Sequence, residues 1–105
     1  MTEALFNQVK RKLNITWEDD ETTARIEDII NSAIPTLIHK LGITDPDFDF
    51  SVCGAENTLF LAYCLYEWNH AVNEFDANYA QLIFEVQTRN AVSQTSNESV
   101  AGENE

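Results

Sequence analysis

The stretch Asp20-Glu21-Thr22-Thr23-Ala24-Arg25-Ile26-Glu27-Asp28-Ile29-Ile30-Asn31-Ser32-Ala33-Ile34-Pro35-Thr36-Leu37-Ile38-His39-Lys40-Leu41 decides the fold. Ile26, Ile29, Ile30, Ala33, Ile34, Leu37, Ile38 and Leu41 recur at intervals of three and four, which gathers them on one stripe of a 3.6-residue helix. Thr16 or one of the acids before Thr22 supplies a cap, and the acidic run Glu18 to Glu21 sits at the positive end of the helix dipole. Gly42 is a suitable terminator. Pro35 has no N–H for the carbonyl of Asn31, and its ring crowds that turn, at a cost of about 3 kcal/mol in a helix interior. Because the stripe stays in phase across Pro35, a kinked helix is expected over Asp20–Leu41, with a fixed bend favoured over a hinge.

Working outward, Leu5, Val9 and Leu13, with Phe6 beside them, mark a first helix over Glu3–Leu13. Its last turn carries Lys10, Arg11 and Lys12, favourable at the negative end of a dipole. Residues 43–54 read as a loop with acids at alternate positions. A third helix is expected over Ala55–Val72. Nine of the ten residues from Leu59 to Trp68 are apolar or aromatic, and only Glu67 is charged. A helix apolar all round must be surrounded. One small domain can scarcely cover every face of it, which argues for a partner chain, the alternative being cover from the other three helices. Large aromatics such as Tyr63, Tyr66 and Trp68 are common interface anchors. Asn73 to Asp76 offers a turn and cap, and Phe75, Tyr79, Leu82, Ile83 and Val86 share one face of a fourth helix over Glu74–Asn90. After Val92 the chain turns polar, and Ser93–Glu105 cannot offset its ordering entropy. The expected fold is all-α, a compact bundle of about four helices over residues 1–92 with a disordered acidic tail over 93–105.

The chain has 105 residues, within the size range of one domain, and 44% of them are hydrophobic. Its net charge of −12, from 18 acids against six bases, opposes binding to DNA, RNA or anionic lipid. The one basic cluster, Lys10-Arg11-Lys12, points three ways around a helix and makes a poor phosphate track. No run approaches the ~18–20 apolar residues of a membrane span, and Met1-Thr2-Glu3-Ala4 does not resemble a signal peptide. Cys53 and Cys64 fit no metal or redox spacing and read as free thiols in a reducing compartment.

Asp45, Asp47, Asp49, Ser51, Cys53 and Glu56 occupy positions 1, 3, 5, 7, 9 and 12 of a calcium loop. Position 6 requires glycine for its sharp turn, and Phe50 stands there. Cys53 is a poor ligand for a hard cation and Pro46 stiffens the second position, so an acidic connecting loop is expected and no metal is assigned. His39 and His70 lie on different helices without a nucleophile motif, and with Gly42, Gly54 and Gly102 as the glycines there is no phosphate loop. No enzyme and no cofactor are expected.

Ile15-Thr16-Trp17-Glu18-Asp19-Asp20-Glu21-Thr22, followed by the isoleucine-rich helix, resembles the opening of small head–tail connector proteins of tailed bacteriophages and prophages. Tyr63-Cys64-Leu65-Tyr66-Glu67-Trp68-Asn69 and Asn73-Glu74-Phe75-Asp76-Ala77-Asn78-Tyr79 continue the similarity, which covers about residues 3–92. The Asp45–Phe50 loop matches no feature of that family. The resemblance implies a structural adaptor that forms a homo-oligomeric ring between the portal protein and the tail or head-completion proteins after DNA packaging. It would be found in the host bacterial cytoplasm and then in the virion. Trp17, Tyr63, Tyr66 and Trp68 are the candidate contact residues, each with an equal claim to be core. In a ring, a negative channel wall would let DNA pass without sticking. The competing readings are an acidic DNA mimic that inhibits a nucleic-acid-binding protein and a generic helical interaction module. Against the mimic, the acids gather in two loops and the tail and not along one helix face.

Overall fold

The computed structural model describes residues 2–103, with side chains over residues 2–92. Its elements are α1 (Glu3–Lys12), α2 (Asp20–Lys40), α3 (Ala55–Trp68), a 3₁₀ turn (Val72–Glu74), α4 (Phe75–Asn78) and α5 (Ala80–Glu103). Among the described residues there is no β-strand. The backbone of α5 is described to Glu103, within the stretch 93–105 expected to be a disordered tail; the side chains of that stretch, and residues 104 and 105 entirely, lie outside the described residues.

Helix α2 runs unbroken through Pro35. The carbonyl that proline frees belongs to Asn31, which is exposed, so water can satisfy it. Ile26, Ile29, Ile30, Ala33 and Leu37 are buried along the stripe read from sequence. α3 lies at the centre, packed against α1, α2, α5 and the 72–78 segment. Leu59, Phe60, Ala62, Tyr63 and Cys64 are buried, and Leu61, Leu65, Tyr66 and Trp68 are half-buried against the same core. The rest of the chain therefore covers most of the all-round apolar helix, which is the alternative to cover by a partner.

Three helices end in the same way. Asn14, Gly42 and His70 adopt left-handed φ values of 59°, 70° and 57°. In each case two backbone N–H groups fold back onto the last turn: Asn14 to Arg11 and Ile15 to Lys10, Gly42 to His39 and Ile43 to Ile38, His70 to Glu67 and Ala71 to Tyr66. His70 is why α3 stops at Trp68 and not at the expected Val72. The expected fourth helix is also divided. A 3₁₀ turn precedes α4, and the backbone leaves helical values at Tyr79 (φ −118°, ψ 17°) before α5 begins. Among the described residues there are five helices and one 3₁₀ turn, where about four helices were expected.

Distant side chains cap carbonyls at the ends of α2 and α3. Gln87 and Asn90 of α5 donate to the carbonyls of Lys40 and Leu41 at 2.8 Å each, sealing the end of α2. Arg25 of α2 donates to the carbonyl of Trp68 at 2.7 Å. α3 has no basic residue in its last turn, so Arg25 supplies the positive charge favoured at its negative end.

Phe75 joins α4 to this centre. It is fully buried, meets the edges of Tyr63 and Tyr66 at 5.2 and 5.9 Å, and stacks on Tyr79 at 5.2 Å. Phe75→Ala is expected to cost about 3–5 kcal/mol in urea denaturation, and Phe75→Leu less, because the cavity is smaller. A loss below about 1 kcal/mol for the alanine variant would show that this ring cluster does not hold α4 in place.

Candidate interaction surface

Trp17 stands 51% exposed just before α2, with its orientation fixed by a chain of hydrogen bonds. Its indole N–H donates to Thr22 Oγ1 at 3.2 Å, and the Thr22 hydroxyl donates to Asp19 Oδ2 at 3.0 Å. Asp19 Oδ1 accepts the backbone N–H of Thr22 at 2.8 Å, the capping bond of α2. That backbone bond, then the Thr22 hydroxyl, hold the Asp19 carboxyl below its ordinary value. Lys10 and Glu18, 3.3 Å apart, tie the end of α1 to this corner.

The other three aromatic candidates are engaged within the chain. Tyr63 is only 9% exposed and belongs to the core, and burial, then the Glu67 charge, raise its phenol above the ordinary value. Tyr66 is half-buried, packed on Phe75 and Tyr79, and its hydroxyl accepts from Asn78 at 2.8 Å. Trp68 is half-buried beneath the Arg25 guanidinium, 4.1 Å from the ring centroid, a cation–π contact. Trp17 is thus the one of the four that presents a largely open ring.

The most exposed large hydrophobic side chain among the described residues was not among the candidates. Phe84 is 67% exposed on α5. At 100° per residue it falls opposite the face formed by Tyr79, Leu82, Ile83 and Val86. That phase mismatch was readable, since an aromatic outside a helix's apolar stripe has no place in the core. Val52 and Val92 are exposed as well.

The acidic loop is held by its phenylalanines. Phe50 is buried and stacks on Phe60 at 4.7 Å, while the half-buried Phe48 meets Phe50 edge-on at 4.9 Å. Asp45 accepts the N–H of Asp47, and Asp49 accepts that of Ser51, both at 2.9 Å. The Ser51 contacts lower the Asp49 carboxyl below its ordinary value. Gln8 donates to the Ser51 carbonyl at 2.9 Å, and Asn57 donates to the Phe50 carbonyl at 2.7 Å. Glu56, the twelfth residue in the calcium spacing, instead pairs with Arg89 of α5. Among the described residues no group of three or more His, Cys, Asp or Glu side chains converges to hold a metal ion, and no helix is long and apolar enough to cross a membrane.

Cys53 is exposed and Cys64 buried, and burial, then the Glu67 charge, push the Cys64 thiol up to about 12. His39 is exposed, and His70 Nε2 lies 3.3 Å from Arg25. Comparison with known proteins returned no matching family model, curated protein or solved structure.

At pH 8, alkylation of the native protein should modify Cys53 rapidly and Cys64 only on unfolding. Equal rates at the two thiols would contradict the core position of Cys64. Asp19→Ala should lower the melting temperature at pH 7. A depressed folded-state pKa contributes stability above the unfolded value of 3.8, and this is lost as pH falls through the folded value. The gap between wild type and variant should therefore narrow below pH 3.8, and a pH-independent gap would remove the carboxylate from the capping role.

Proposed function

We propose that this chain is a structural adaptor of a tailed-phage or prophage particle, one that joins portal and tail by packing against other protein chains. The carrying observation is the pair of open aromatic rings, Trp17 and Phe84, on a body whose other large apolar side chains are mostly covered. Water-exposed aromatic rings on a small body are favoured anchors for protein contacts. Trp17 is pre-oriented by its bond to Thr22, so little ordering entropy would be lost on binding. The resemblance of residues 15–22, 63–69 and 73–79 to connector proteins is what points the reading to this assembly. The excess of acids over bases suits a wall past which DNA slides.

The reading predicts that the protein co-sediments with portal-bearing capsids filled with DNA. Trp17→Ser and Phe84→Ser should each leave stability within about 0.5–1 kcal/mol of wild type, since both rings are largely open, while reducing capsid association. Unchanged association in the double variant would reject these rings as the contact. Failure of the wild type to bind capsids would reject the adaptor reading.

A further inference from the structure

The six basic residues are unequally committed. Lys10 pairs with Glu18, Lys40 with Asp76, and Arg89 with Glu56. Arg25 is held by the Trp68 carbonyl and ring. Arg11 and Lys12 are exposed, and their side chains make no hydrogen bond or ion pair among the described residues. In a chain with 18 acids, two adjacent bases without an acid partner are the exception. Both line one shallow groove of about 360 Å³ between α1 and α3, with Leu61 on its wall and the amides of Gln8 and Asn57 beside it.

A complementary element exists on the same chain. The Asp45–Asp49 loop lies beside Thr2 and Leu5, at the first turn of α1, and its next residues, Phe50 and Ser51, are held by Asn57 and Gln8 at the near edge of the groove, whereas Arg11 and Lys12 stand at the last turn and make no ion pair with it among the described residues. Those turns are roughly 10–15 Å apart along a helix of this length. Asp45, Pro46, Asp47 and Asp49 are exposed, and the loop's shape is fixed by Phe50 and by its internal hydrogen bonds. We infer that the Arg11–Lys12 groove receives the Asp45–Asp49 loop of a second copy of this chain. Carboxylates flanking Pro46 meet the guanidinium and ammonium, and the proline ring meets Leu61. Arginine and carboxylate form strong, directional paired hydrogen bonds. In the Glu18–Glu21 run, Glu18 pairs with Lys10 and Asp19 caps α2, so both are engaged within the chain.

One loop in one groove joins different surfaces: repeated head to tail it closes into a ring or continues as a filament, and exchanged between two copies it makes a two-fold dimer. The inference rests on the adaptor reading and names the contact between neighbouring copies. Repulsion from the net charge is screened beyond ~8 Å at physiological ionic strength, so the groups in contact decide the outcome.

Two variants test it. Arg11→Gln with Lys12→Gln neutralises the groove. Asp45→Asn, Asp47→Asn and Asp49→Asn neutralise the loop while keeping side-chain oxygens for its internal turns. Melting curves check that both variants fold. In sedimentation across a concentration series, wild type should assemble, and each variant alone should assemble about tenfold more weakly or not at all. An equimolar mixture should form a one-to-one dimer and nothing larger, because one intact loop and one intact groove remain. Assembly of either folded variant at wild-type strength overturns the contact while leaving the adaptor reading intact. A mixture that stays monomeric also overturns it, as does a wild type monomeric at every concentration. Capsid co-sedimentation then judges the adaptor reading separately.

Discussion

A helix apolar on every side can exist in water only if something surrounds it, and α3 imposes that demand on everything else in the chain. α1 and α2 cover part of it, and α5 and the 72–78 segment cover the remainder. Phe50 and Phe75 fill spaces that the helices leave, and each is almost wholly buried. The surrounding elements share one core cluster that runs from Leu5 to Val86. This arrangement explains why a short acidic loop has a defined shape: Phe50 belongs to the core, and its backbone follows.

Burying helix ends creates a second demand, because the last carbonyls of a helix have no partner within it. Here the polar side chains of distant elements meet it. Arg25 reaches from α2 to the end of α3, while Gln87 and Asn90 reach from α5 to the end of α2. These contacts add direction to apolar packing, which by itself tolerates sliding. The positive charge of Arg25 at the negative end of α3, over the face of Trp68, also occupies a tryptophan that would otherwise be a candidate for outside contacts.

What remains at the surface is sparse, and the functional reading depends on it. Two aromatic rings stand open, two bases lie together without acid partners among the described residues, and a rigid loop displays carboxylates. These features lie apart on the surface of the chain. An adaptor uses separate faces for separate neighbours, which is the arrangement a ring between two larger assemblies demands.

Much of this was legible in the sequence. The stripe from Ile26 to Leu41 determined α2, its continuity across Pro35 and its end at Gly42, because helical periodicity and the permissiveness of glycine are local properties. The absence of glycine at Phe50 already weakened the calcium spacing for the same kind of reason. The end of α3 at His70 and the break at Tyr79 were not legible, since a left-handed histidine is unusual and only the packed chain selects it. Nor could sequence divide the aromatics into core and surface. Tyr63 and Trp17 are both large aromatics in apolar or acidic runs, yet Tyr63 is enclosed by α3's neighbours and Trp17 is left outside. Local pattern determined which segments are helical. Tertiary structure alone decided which side of the central helix each segment covers, and hence which rings and charges were left over to meet another chain.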